Sequence, residues 1–248
     1  NAFFDDRNFP FNYSNQFLFP INTNSRIILS FKEICLILKQ IRISKIEKIN
    51  ILGGDILLHP EIMKIIEFFK KQNFQKNFHF YWQENNLMEK FKITKENSVN
   101  VYIDSNIKSH IFSKLINLSE KKYNLNFIFI INNEPEFQWF DSAITKNNIQ
   151  RYEFRPFYNG ENLDFFKKYI YISKEEIFEY ANNQNDIFAK SKINLNNFGK
   201  IIIYNNGYVH SNINQSPIGN IKNNLIKELI YKELKTKNSW RLTRDDKP

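Results

Sequence analysis

The chain carries one cysteine, Cys35, in 248 residues. That excludes an intrachain disulfide and any metal site built from cysteine alone, and it makes the cytoplasm the expected compartment. Glycine is scarce as well, at six residues. No Gly-rich dinucleotide fingerprint or phosphate-cradling P-loop can be assembled, and neither Gly-x-Ser-x-Gly nor His-Glu-x-x-His occurs. Hydrolytic and ATP-dependent chemistry therefore has no motif to stand on. No apolar run approaches the ~18 residues of a membrane span, and no signal-peptide pattern is visible, so no membrane partner is expected. The four histidines, His59, His79, His110 and His210, lack the spacing of metal ligands. Each reads as a surface or cap residue.

What the chain has in quantity is ring surface: 25 Phe, 12 Tyr and 3 Trp, within an apolar content of 42%. A polypeptide of this length and composition buries one full core, as a single α/β domain or a domain with a small appendage. The net charge of +9 permits an acidic partner. The basic residues are scattered, as in Lys70-Lys71, Lys121-Lys122 and Lys167-Lys168, and no basic run reaches five. Nucleic acid is accordingly not the expected partner.

Residues 1–24 show no clean period and read as an irregular N-terminal segment. Ser30-Phe-Lys-Glu33 is a capping box, followed by a helix with a broad apolar face at Ile34, Leu36, Ile37, Leu38 and Ile41. Cys35 lies on that helix and is expected to be an inert buried thiol. Strands are then expected at 48–52, 78–82, 99–104, 126–131 and 151–155, alternating with helices at 60–71, 107–118, 137–146 and 173–182. This rhythm predicts a parallel sheet with helical crossovers. Five strands in series, without a dinucleotide fingerprint, suit a partial (β/α) TIM-like barrel at 25–182 at least as well as an open sheet. In a barrel, functional residues gather where the strands end.

Beyond that, 160–169 reads as a loop or short turn, and residues 183–248 as a linker followed by an extension. The extension begins with a β-hairpin in Gly199-Lys-Ile-Ile-Ile-Tyr-Asn-Asn-Gly207-Tyr-Val, where Asn206-Gly207 is expected to form a tight two-residue turn. A helix is expected at 224–235. Asn132-Asn133-Glu134-Pro135 reads as a turn. Asp104-Ser105-Asn106 ends a strand, as a helix cap or as a polar cluster at a barrel mouth. Glu153 and Arg155 share one strand face, as an ion pair or as ligand-binding charges in a groove.

One stretch stands apart: Ile49-Asn-Ile-Leu-Gly53-Gly54-Asp55-Ile-Leu-Leu-His59-Pro60-Glu61-Ile62. Two glycines after a strand allow a sharp turn or the close approach of a ligand. Asp55 could accept hydrogen bonds from an ammonium group. Pro60 and Glu61 suit the first turn of a helix.

The order of strand, Gly-Gly-acid, Leu-Leu-His-Pro-Glu-Ile and amphipathic helix resembles radical S-adenosylmethionine enzymes, in the branch that carries a SPASM domain and modifies peptides. Val99-Asn-Val-Tyr-Ile-Asp104-Ser105 resembles a later strand of that barrel, ending toward the cofactor. The 199–209 hairpin with Ile218-Gly219-Asn220-Ile221, then Trp240-Arg241 and the acidic pair after it, resemble the opening of a SPASM domain. The resemblance implies that Gly53, Gly54, Asp55, Asp104 and Ser105 face S-adenosylmethionine; at the mouth of such a barrel Glu153 and Arg155 would line a peptide or ligand groove, unless they form a structural ion pair. Two departures change its meaning. Those enzymes hold a [4Fe–4S] cluster on a CxxxCxxC loop, and residues 1–29 contain no cysteine. Asp55 and Ile56 also stand where Glu and Pro are usual.

The implied function is participation in maturing a ribosomally made peptide. In the first version the chain is a non-catalytic relative that binds the precursor peptide or a partner maturase, such as an ATP-grasp ligase. In the alternative it is the body of an active enzyme whose cluster cysteines lie outside residues 1–248; a weaker alternative, motivated only by the charge, is a nucleic-acid-binding α/β domain.

Overall fold

The computed structural model describes residues 28–51, 59–82, 98–121, 123–171, 188, 191–194, 197–212, 215–236 and 238–242. They fall into two compact units. The first comprises Glu47–Tyr171; the second joins residues 28–46 to the described residues after 171.

The first unit is built on a five-stranded, all-parallel sheet: β1 (Lys48–Ile51), β2 (Gln75–Tyr81), β3 (Ser98–Ile103), β4 (Asn124–Ile131) and β5 (Tyr152–Pro156), in the spatial order β1-β2-β3-β4-β5. Crossovers between adjacent parallel strands are right-handed as a rule, which puts crossover helices on one face of such a sheet. The packing shows it. Phe78 and Phe80 of β2, Val99, Val101 and Ile103 of β3, and Leu125, Phe127, Phe129 and Ile131 of β4 form one apolar cluster. Into it pack Ile66 of α2 (Ile62–Lys70), Phe112 and Leu115 of α3 (Ser109–Lys121), and Phe140 and Ile144 of α4 (Glu134–Lys146). Phe129 is its centre, fully buried, with the Phe140 ring centroid 4.6 Å away.

The five expected strands are all present, with shifted limits. Two local readings are corrected. Asn132–Pro135 is not a turn but the start of α4: the Asn133 side chain accepts from Glu136 N at 2.9 Å, and Pro135 sits in the first turn, where no N–H is needed. The segment at 160–169 contains a helix, α5 (Leu163–Tyr169), in which Phe166 buries its ring. Seven residues give too short a period to separate from a loop. Just past the end of α4, Asn148 takes φ +48° and Ile149 N bonds back to Ile144 O; this left-handed closure turns the chain into β5. The helix expected at 173–182 lies outside the described residues.

The second unit contains α1 (Phe31–Ile43), a three-stranded antiparallel sheet of β6 (Ile202–Ile203), β7 (Tyr208–His210) and β8 (Gly219–Asn220), and α6 (Ile226–Lys235). α1 starts at the expected capping box, with Glu33 N on Ser30 Oγ at 3.3 Å and Ser30 N on Glu33 Oε2 at 2.7 Å. Cys35 is partly exposed rather than buried. Gln40 of α1 accepts from Ile226 N at 2.7 Å, satisfying one of the orphan N–H groups that open α6.

The expected hairpin is present, but its turn differs. Tyr204 N bonds Tyr208 O and Gly207 N bonds Tyr204 O, so the loop has three residues, and the positive φ falls on Gly207 (+85°) alone. This is a type I turn closed by a glycine bulge. Gly219 is required for a different reason: a Cβ there would lie 2.5 Å from the Leu229 side chain and 2.7 Å from Asn224 Oδ1.

Candidate functional site

Side chains alternate across a strand. The residues between the apolar ones therefore share the sheet face opposite the helices. On β2 they are Asn77, His79 and Tyr81; on β3, Asn100 and Tyr102; on β4, Asn126, Ile128 and Ile130; on β5, Glu153 and Arg155. The strand register aligns His79, Asn100 and Asn126 in one row, and Tyr81, Tyr102, Ile128 and Glu153 in the next.

A chain of hydrogen bonds crosses this face. Asn126 Nδ2 donates to Asn100 Oδ1 at 3.0 Å. That commits the Asn100 oxygen and turns its amide nitrogen toward His79 Nε2, 3.3 Å away. An amide nitrogen can only donate, so Nε2 accepts and the ring proton sits on Nδ1. His79 Nδ1 then donates to the Tyr102 hydroxyl at 3.1 Å. Arg155 Nη1 donates to the same oxygen at 3.1 Å while its guanidinium stands 5.3 Å from the Tyr102 ring centroid. Arg155 Nη2 finally meets Glu153 Oε1 at 2.8 Å. At the other end Asn77 Nδ2 donates to Asn50 Oδ1 at 3.0 Å. Asn77 is 6% exposed, and its own Oδ1 has no partner.

The electrostatics follow from burial. Desolvation, with Arg155 and Lys48 adding repulsion, pushes the His79 imidazole down to about 4, so it is neutral at physiological pH. Burial pushes the Tyr102 phenol up, and Arg155 opposes that shift. Burial acts to lower the Arg155 guanidinium, but Tyr102 and Glu153 together hold it above its ordinary value. The site thus offers a fixed cation, a neutral imidazole, and a phenol whose oxygen already accepts two hydrogen bonds. The phenolic proton is left to donate.

The residues singled out by sequence sit differently. Glu153 and Arg155 are brought together as the ion pair that ends this chain of bonds. Asp104 and Ser105 belong to the loop after β3, and their polar atoms serve neighbours. Asp104 Oδ1 accepts from Trp82 Nε1 and Asn106 N, both at 3.0 Å, and burial raises its carboxyl above the usual range. Ser105 Oγ donates to Glu136 Oε1 at 2.7 Å, while Glu136 Oε2 accepts from Asn132 N at 2.8 Å. This loop is an Asx turn and a latch between strand ends. Gly53, Gly54 and Asp55 lie outside the described residues; just past them, His59 Nδ1 accepts from Glu61 N at 3.1 Å at the start of α2.

His79 corrects an expectation. It is neither a surface nor a cap histidine but the middle of the polar chain. Asn100, Tyr102 and Asn126 were not singled out by sequence either. Their signal was the alternation Asn-Phe-His-Phe-Tyr and Asn-Val-Tyr, a polar residue at every second place in strands of a parallel sheet.

Among the described residues no group of three or more His, Cys, Asp and Glu is placed to hold a metal ion. A three-thiolate [4Fe–4S] cluster does not fit this chain's residues, which supply one thiol. No described helix is long and apolar enough to cross a membrane. A cavity of about 360 Å³ in the second unit is lined by Pro217, Ile218, Lys232, Glu233 and Thr236. Its ionisable groups are engaged: Glu233 accepts from Asn238 Nδ2 at 2.8 Å and Trp240 N at 3.1 Å, and Lys232 Nζ donates to Ile218 O at 3.1 Å. Neither a protein-family model nor a curated protein sequence matches the chain.

Proposed function

We propose that this chain is a non-catalytic relative of radical S-adenosylmethionine/SPASM proteins that binds a precursor peptide, or the maturase acting on it, in a ribosomal-peptide maturation system. The observation that carries the reading is the His79–Tyr102–Arg155–Glu153 chain on the sheet face away from the helices. It is a row of oriented donors and one cation, suited to polar recognition. Strictly sequential parallel strands accord with a partial TIM-like barrel, whose inner surface this face would be. The Gly53-Gly54-Asp55 sequence supports the family resemblance, and the single thiol supports binding over radical chemistry.

The test has two arms. Anaerobic reconstitution of this chain with iron and sulfide is expected to give no stoichiometric [4Fe–4S] absorption; a full cluster would sink the non-catalytic reading. Calorimetric titration with candidate precursor peptides, short reading frames found next to the gene, is expected to show saturable binding by one of them that Arg155→Ala weakens at least tenfold. Equal binding by the variant would remove this face from the account.

A further inference from the structure

Arg155 is under-used for a guanidinium. Its partners among the described residues are Tyr102 Oη through Nη1 and Glu153 Oε1 through Nη2. The rest of the planar fork has no described acceptor, although the fork favours two parallel bonds to one carboxylate. Its resident carboxylate is held loosely. The Glu153 side chain is 51% exposed and touches Arg155 through one oxygen, while the Arg155 side chain is 18% exposed. The Glu153 half of the pair is open to water, and exchanging one carboxylate for another keeps the largely buried guanidinium paired, so the exchange costs little. Beside the guanidinium stands the Tyr102 hydroxyl, oriented by His79 and still holding its proton. Arg155 and Lys48 both act on the neutral His79 ring, so the charge felt along this row is positive. The chain as a whole carries +9.

We infer that Arg155 and Tyr102 form a receptor for an acidic side chain of the bound peptide, and that Glu153 is a stand-in carboxylate which the incoming one displaces. This rests on the peptide-binding reading and adds to it the chemistry of the contact. The guanidinium takes both oxygens of the incoming carboxylate, and Tyr102 donates its remaining proton to one of them. Glu153 swings to solvent, where its exposure already places it.

The test uses the full chain and two probes, N-acetyl-glutamate amide and N-acetyl-glutamine amide, with the Arg155 Nε–H resonance as readout. The glutamate probe is expected to shift that resonance saturably and the glutamine probe to leave it unmoved. Glu153→Gln is expected to tighten the glutamate probe about fivefold, because the competitor is lost. Tyr102→Phe is expected to weaken it about tenfold. Glu153 is half exposed, so its variant keeps the fold whatever happens to the Tyr102 variant. Equal shifts from both probes, no shift from glutamate, or unchanged or weaker binding in Glu153→Gln would overturn the inference. The probes carry no precursor sequence, which separates the two claims. Precursor binding without a glutamate response defeats this inference alone. A glutamate response without precursor binding leaves the receptor standing and defeats the peptide reading.

Discussion

The two faces of the five-stranded sheet are made by the same strands and obey different rules. Toward the helices, Phe78, Val101, Phe127 and Phe129 pack against Ile66, Leu115, Phe140 and Ile144, with no polar atom to satisfy. Toward the other side, Asn77, His79, Asn100, Tyr102 and Asn126 occupy the alternate positions and are held by directed hydrogen bonds. Parallel strands covered on both sides by helices tend to be apolar throughout. Polar residues at every second position of β2 and β3, continued by Asn126 of β4, therefore mark a face with another task, although Ile128 and Ile130 make the rest of β4 apolar there. Removing area should hurt the first face most; turning a donor into a non-donor should hurt the second.

The largest effect is expected at the apolar face. Phe129→Ala removes a fully buried ring that contacts Phe112, Phe140 and Phe154. It should destabilise the chain by about 3–5 kcal/mol in urea unfolding. A loss below about 1 kcal/mol would mean that this cluster is not the core.

Next in size is the pH dependence of the polar face. His79 titrates at about 4 in the folded state and near 6.5 when unfolded. Between those values the unfolded chain binds more protons, so stability rises with pH. The contribution is complete above about 6.5 and is lost as pH falls through about 4, amounting to about 3 kcal/mol. Arg155, Lys48, Tyr102 and Asn100 are the groups set against the ring. Comparing unfolding of the parent and His79→Asn across that window isolates the term, and parallel pH profiles would contradict it.

Asn100→Ala breaks two bonds at once, leaving Asn126 Nδ2 and His79 Nε2 without their partner. About 2 kcal/mol is expected. A double-mutant cycle with Asn126→Ala should return a coupling of about 1 kcal/mol; strict additivity would mean that the two amides do not act together. The smallest effect belongs to Glu153→Gln, within about 1 kcal/mol, since its side chain is half exposed.

Much of the architecture was legible in the chain. The βα rhythm, the capping box at Ser30 and the hairpin at 199–209 follow from periodicity and from turn and cap residues. Glycine-dependent detail was harder. Asn206-Gly207 is compatible with two turn geometries, and only the pairing of Tyr204 with Tyr208 separates them. α5 was hidden because seven residues hold barely two helical turns. On the polar face, sequence reasoning singled out Glu153 and Arg155 because opposite charges two apart on a strand share a side. It passed over His79, Tyr102, Asn100 and Asn126 because spacing along the chain cannot show that the register of β2, β3 and β4 aligns His79, Asn100 and Asn126 in one row with Tyr102 in the next. Asp104 and Ser105 carried the composition of a site, and in the structure Asp104 Oδ1 accepts from Trp82 and Asn106 while Ser105 Oγ donates to Glu136.

The most direct test of an oriented polar face is the protonation state of the His79 ring, read by nitrogen-15 NMR of the imidazole. The structure predicts a neutral ring at pH 7 with its proton on Nδ1, an unprotonated Nε2 accepting from Asn100, and a midpoint near 4. A proton on Nε2, or a midpoint near that of a free imidazole, would contradict it.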